Sequence, residues 1–202
     1  MFSGQIEFSS AAEPTPCQRF SAQIDKDTQL RQLALEDAAE LFALTEANRN
    51  RLREWLPWLD DNTIEEHSRQ YIQSAQASAE ANQGFVAAIC CGGAIAGLVG
   101  IHGTNWAARS TSIGYWLGQS YEGKGLMTRA CKAVVNYAFT ALKLHRVDIL
   151  CAPQNTRSCA VPKRLGFTYE GTLRESEYLY GRFVDHRVYA ILSHEWPAAS
   201  AL

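Results

Sequence analysis

The residues best equipped for chemistry lie in one loop, Ser120-Tyr121-Glu122-Gly123-Lys124-Gly125. Two glycines one residue apart permit positive φ and close approach of a ligand to the backbone. Directly after them Leu126, Ala130, Ala133, Val134, Tyr137, Ala138 and Ala141 recur at helical spacing. The loop therefore ends on a helix N-terminus. The unpaired N–H groups of a first helical turn, with the positive end of the helix dipole, favour an anion, most readily a phosphate. Lys124 adds a full positive charge. Upstream, Ile113, Tyr115 and Leu117 alternate with Ser112, Gly114 and Trp116, the period-two pattern of a packed strand.

Several families bind phosphates with a strand, a glycine loop and a helix. A Walker A loop needs Gly-x4-Gly-Lys-Ser/Thr; Gly118 to Lys124 meets the glycines and the lysine, but Gly125 stands where the magnesium-binding hydroxyl belongs. The dinucleotide fingerprint starts at Gly123 and Gly125 and fails at Thr128. What remains resembles the acetyl-CoA loop of the GNAT superfamily of N-acetyltransferases, Gln/Arg-x-x-Gly-x-Gly/Ala, with Ser120 departing at the first position. Downstream, Asn155-Thr156-Arg157-Ser158 and Arg164-Leu165-Gly166-Phe167 are similar to the Asn-x-x-Ser and Leu-Gly-Phe segments of that superfamily, in matching order. Tyr115-Trp116-Leu117, Trp55-Leu56-Pro57-Trp58 and Glu177-Tyr178-Leu179-Tyr180-Gly181-Arg182 resemble the branch that acetylates N-termini of ribosomal proteins. The resemblance covers roughly residues 28 to 192.

That resemblance implies a mixed α+β fold whose central, mostly antiparallel sheet is flanked by helices and splays between the central strand and the strand after the helix. Acetyl-CoA would enter this wedge, its pantetheine along Trp116 and Leu117 and its pyrophosphate on amides across Tyr121, Glu122, Gly123, Lys124, Gly125, Leu126 and Met127. Asn155 would meet the pantetheine arm. Ser158 would hydrogen-bond the leaving sulfur. The branch places a glutamate base just after the central strand; Gln119 stands there and cannot act as one, so Glu122, His102 or a held water is left to assist. The tyrosine acid of many members is here Pro162. Trp55 and Trp58 would wall the acceptor groove, with His102 and Asp185 as polar contacts, and a homodimer is implied. No metal is required.

Each role has a plainer counterpart. The tryptophans could form a satellite hydrophobic cluster, Lys124 a solvated loop lysine, Asn155 a helix cap and Asp185 a structural pair. A protein N-terminal α-amine, of the ribosomal-protein serine type, is the favoured acceptor and a small amine the alternative. An α-amine of pKa about 7.7 to 8 is partly neutral near pH 7, whereas a lysine at about 10.4 gives up roughly 4 kcal/mol to become neutral. A weak base suits the former. A non-catalytic acyl-CoA-binding module, motivated by Gln119 and Pro162, and a triphosphatase using Gly118 to Lys124 are the remaining readings.

The 202 residues suffice for one domain, expected over 17–202 after a loose extension at 1–16. A net charge of −2 gives no bulk electrostatic support for a nucleic-acid partner. The six cysteines, Cys17, Cys90, Cys91, Cys131, Cys151 and Cys159, lack Cys-x-x-Cys spacing and read as buried thiols of a reducing cytoplasm. Met1 to Ile6 has no signal-peptide character. The uncharged run Phe85 to Ile101 falls short of the about 20 apolar residues of a membrane span, and Gly92-Gly93 divides it into a hairpin. No membrane partner is expected.

Around the loop, the pattern predicts short strands at Phe20 to Ile24 and Gln29 to Leu33, and a helix from about Ala38 to Asn48. A second helix, capped by Thr63 with Glu66 three residues on, should run to about Ala81. A strand at Arg146 to Cys151 follows the central helix. Pro162 predicts a kink or a late start in the helix after Asn155, because the carbonyl of Ser158 loses its i+4 donor. A last hairpin spans Phe167 to Leu192 with its turn at Gly181-Arg182, and Trp196 closes the fold.

Overall fold

The computed structural model describes residues 20–197. The expected extension at 1–16 and Cys17 lie outside them. Eight strands form one sheet: β1 (Ser21–Asp25), β2 (Thr28–Gln32), β3 (Phe85–Cys91), β4 (Ala94–Asn105), β5 (Ser110–Leu117), β6 (Arg146–Cys151), β7 (Thr168–Leu179) and β8 (Arg182–Leu192), in the order β1-β2-β3-β4-β5-β6-β8-β7. Every pairing is antiparallel except β5 with β6. The four helices are α1 (Ala38–Arg53), α2 (Glu65–Glu80), α3 (Leu126–Thr140) and α4 (Thr156–Arg164).

The parallel pair is the feature that makes a site. Ser110, Thr111 and Ser112 pair with Arg146, Val147 and Asp148, and there the ladder stops. Ile113 to Leu117 continue against β4, and Ile149 to Cys151 continue against β8, so the two strands separate as predicted. Each side of the sheet has its own apolar layer. Tyr115, Leu117, Ile149 and Cys151 pack with the buried stripe of α3, Leu126, Ala130, Cys131, Val134 and Ala138, on one face. Trp116 packs with Leu41, Ile72, Val86, Ala88 and Leu98, under α1 and α2, on the other. Alternation along β5 thus sends Tyr115 and Trp116 to opposite faces of the wedge.

Several expectations shift. α1 runs to Arg53 because Leu41, Thr45 and Leu52 keep an inward stripe through the polar stretch after Asn48. α2 begins at Glu65 with extended Ile64 as its cap residue, and Thr63 instead donates its N–H to His67 Nδ1 at 3.2 Å; there is no Thr63 capping box. α4 starts at Thr156 directly after Asn155, with Pro162 inside a continuous helix, so the late start does not occur. The last turn is centred on Tyr180 and Gly181, with φ of 47° and 89°. Positive φ at both central residues is the hairpin geometry that matches strand twist. Trp196 does close the fold, donating from Nε1 to Asn136 Oδ1 at 2.5 Å and packing on Phe139.

Candidate active site

The wedge opens toward the C-terminal ends of β5 and β6, where the glycine loop and α4 follow. Gly123 and Gly125 have φ of 74° and 68°, the left-handed region that a side chain disfavours. A Cβ on Gly123 would stand in open space, and one on Gly125 would come within 3.3 Å of Arg129 Nη1. Gly125 is the cap residue of α3 and no side chain caps that helix. The first intrahelical acceptor is used by Arg129, whose N–H reaches the Gly125 carbonyl at 3.2 Å. The amides of Leu126, Met127 and Thr128 precede it and have no partner within the helix. This open cradle of amides, with exposed Lys124 beside it, fits a pyrophosphate. Lys124 Nζ contacts the Ser120 carbonyl at 3.2 Å and lies 6.0 Å from the Tyr121 ring.

The rim is braced by charge. Arg51 of α1 donates to Glu122 Oε1 and, at 2.5 Å, to the Leu117 carbonyl; Arg157 of α4 donates to Glu122 Oε2 at 2.6 Å. Both oxygens of Glu122 therefore carry a guanidinium, which ties the loop to helices on either side of the wedge and leaves it poorly placed to take an amine proton. Arg51 Nε is buried with no partner among the described residues, a donor left over at this rim. Gln119 sits in a 3-10 turn, exposed, its N–H bound to Asn48 Oδ1 at 2.8 Å.

Across the wedge, Asn155 Oδ1 accepts the Ser158 N–H at 3.1 Å, so Asn155 is the cap of α4. Ser158 Oγ lies 3.3 Å from both Tyr115 Oη and Cys151 Sγ. Burial pushes the Tyr115 phenol and the Cys151 thiol well above their ordinary values, so both stay protonated near neutrality. The half-buried Ser158 hydroxyl is the polar group at this point of the wedge that can still turn to a ligand.

The second face carries the tryptophans. Trp58 stands 6.4 Å from Trp116, ring centre to ring centre, and Trp55 packs on Ala152, Leu179 and Val184. The segment between them is pinned by Tyr180, whose Oη donates to the Leu56 carbonyl at 2.8 Å and accepts the Leu59 N–H at 3.1 Å. Glu177 pairs in register with Val184 and so shares the Trp55 face. Its Oε2 lies 3.4 Å from His186 Nε2, and His186 Nδ1 is 2.9 Å from Ser176 Oγ. His102 is opposite Ser112, and its ring reaches past the last ladder pair onto Gly114; loss of solvation lowers its pKa, so it is neutral at pH 7. Asp185 lies on the opposite face of β8 from Val184 and His186, accepting the Glu175 N–H at 2.8 Å across the β7 bulge.

The wedge thus collects Trp116, Leu117, Tyr121, Glu122, the glycine loop, Asn155 and Ser158, with Trp55 and Trp58 on its other face. It does not collect Asp185, while the His102 ring lies beside Gly114, on the face of β5 that carries Trp116. Sequence reasoning gave no role to Glu177, His186, Tyr115 or Arg51. Glu177 was within reach, since it opens the segment Glu177 to Arg182; His186 is meaningful only once β7 and β8 are paired.

Comparison with known proteins agrees with this architecture. Residues 28–168 match the family described as acetyltransferase (GNAT) domain. A putative ribosomal N-acetyltransferase of Bacillus subtilis (strain 168) is 34% identical over 179 residues, 88% of this chain and 97% of that protein. RimL, a ribosomal-protein α-N-acetyltransferase solved in complex with coenzyme A, superposes with a TM-score of 0.84 at 26% identity, covering 89% of this chain and 99% of that one. A microcin self-immunity acetyltransferase solved with acetyl-CoA and AMP gives 0.80 at 28% identity, over 84% of this chain and 94% of that one. The splayed parallel pair, the amide cradle and these matches together identify the chain as a GNAT-family acetyltransferase that uses acetyl-CoA.

Proposed function

We propose that this enzyme acetylates the α-amine at the N-terminus of a protein, of the ribosomal-protein serine type. The observation that carries the reading is this face of the sheet: the Trp58–Trp116 pair, and Trp55 on the last hairpin, whose same face holds the carboxylate–histidine pair Glu177 with His186. Aromatic rings offer broad contact to a peptide, and one modest base suffices for an amine that is partly neutral already. The relatives named as ribosomal N-acetyltransferases support the same choice.

Bound acetyl-CoA supplies the activated acetyl thioester. The amides from Gly123 to Met127 and Lys124 hold its pyrophosphate, and Trp116, Leu117 and Asn155 line the arm. Tyr121 packs against the apolar layer behind the loop. Ser158 donates its hydroxyl to the departing sulfur. Glu177 takes the proton of the incoming amine, directly or through a water, and His186 orients that carboxylate. Gln119 serves as a rim residue and takes no proton. His102 and Asp185 are assigned to the surroundings of the site. Five free thiols among the described residues support a reducing, cytoplasmic setting.

A small amine acceptor is the second reading, favoured by the Trp58–Trp116 spacing, which leaves an aromatic face for a planar ring, and by the relative solved with AMP. Following coenzyme A release over a panel of serine- and alanine-initiated peptides, spermidine and adenylates separates the two. Peptide kcat/KM at least tenfold above the small amines supports the proposal; the reverse order sinks it.

A further inference from the structure

We propose that Tyr115 is a positioning residue that replaces the backbone donor removed by Pro162 and thereby fixes Ser158 at the wedge. The inference rests on the reading of Ser158 as the group that meets the departing sulfur.

In a regular helix the carbonyl of Ser158 accepts the N–H of residue 162. Pro162 has none, and its ring crowds that carbonyl. The helix is bonded at both ends, since Cys159 N–H reaches Asn155 O at 3.0 Å and Leu165 N–H reaches Val161 O at 3.2 Å. Pro162 removes the backbone donor for the Ser158 carbonyl between them. A helix of nine residues has little cooperativity of its own with which to absorb such a gap. The missing donor comes from another element: Tyr115 Oη of β5 donates to Ser158 O at 3.0 Å.

The same hydroxyl oxygen is 3.3 Å from Ser158 Oγ. One phenol therefore contacts Ser158 at both its carbonyl and its side chain. Because the Tyr115 proton is committed to the carbonyl, its lone pairs face the serine hydroxyl and accept from it. In the resting protein the single Ser158 proton has two acceptors, Tyr115 Oη and Cys151 Sγ. An arriving sulfur replaces one of them without moving the backbone. The bond also crosses the splay, from β5 to the helix after β6, beyond the last ladder pair Ser112 with Asp148. It ties together two elements that the sheet itself leaves unjoined.

The test is a double-substitution cycle with Tyr115→Phe and Pro162→Ala. Tyr115→Phe keeps the ring and removes the donor; Pro162→Ala returns an N–H to the Ser158 carbonyl. In ligand-free protein, Tyr115→Phe should lower Tm by about 2 to 4 °C in the Pro162 background and by about half that or less in the Pro162→Ala background. With acetyl-CoA and a serine-initiated hexapeptide, kcat should fall about tenfold in the first background and about twofold in the second, with the KM for acetyl-CoA little changed in either. If Tyr115→Phe alone does not fold, the double variant should fold and turn over. Equal losses in both backgrounds, or a double variant that also fails to fold, overturn the proposal. Ser158→Ala separates the two levels: if it leaves kcat unchanged, the reading of Ser158 fails and the inference with it. If it slows turnover and Tyr115→Phe does not, only the inference fails.

Discussion

Glu177 Oε2 stands 3.4 Å from His186 Nε2 on the face of the last hairpin that carries Trp55, and in the proposed mechanism this carboxylate is the base. Gln119, an amide, cannot take that role. Glu177→Gln keeps the shape of the side chain and removes its basicity. Its kcat should fall about 10² to 10⁴-fold, the range for a lost general base. The deficit should narrow as pH rises past the acceptor's pKa of about 8, because the amine then arrives neutral. A pH profile of kcat/KM for both proteins checks this; a deficit that is constant from pH 6 to 9.5 counts against Glu177 as the base.

Gly125 carries the turn into α3 at a φ of 68°. Gly125→Val forces a β-branched residue into the left-handed region, at a cost of roughly 1 to 3 kcal/mol, and fills the cradle beside the first-turn amides. Coenzyme A affinity by calorimetry should drop at least tenfold, with the acceptor KM less affected. Unchanged affinity would mean that the phosphates are held elsewhere.

Asp37 gives a stability prediction with a sign. Burial raises its pKa, but the Arg31 guanidinium, at 2.6 and 2.8 Å, and the Ala34 N–H, at 2.8 Å, outweigh that and leave it below the ordinary 3.8. A depressed folded pKa contributes stability that is fully present above the unfolded value and disappears as pH falls through the folded one. Asp37→Asn should therefore cost about 2 kcal/mol at pH 7, typical of a lost charged hydrogen bond. The gap between the two unfolding free energies should close as pH falls below about 3.8 and through the lower folded pKa. A gap independent of pH would assign the effect to packing.

The fold was legible where local chemistry decides it. The Gly123–Gly125 loop, the α3 stripe and the Gly92-Gly93 break each follow from residue types within a few positions, and each stands where the pattern puts it. Pro162 shows the limit. Its missing N–H is readable in the sequence, but the donor that compensates, Tyr115, is distant along the chain and meets Ser158 only through the sheet order. The helix itself starts at its Asn155 cap. The same limit holds for Tyr180, whose bonds to Leu56 and Leu59 turn two tryptophans and a proline into a wall. Glu122 shows a related limit: the sequence leaves it, His102 or a held water to assist, and only the fold reveals that two arginines from separate helices bind its carboxylate.

The most direct test uses one peptide that begins with serine and contains an internal lysine, incubated with the enzyme and acetyl-CoA and then fragmented by tandem mass spectrometry. One acetyl group on the α-amine, with the lysine side chain unmodified, is the predicted result. An acetyl group on the lysine, or an unmodified peptide under conditions in which a small amine is consumed, would contradict the proposed function.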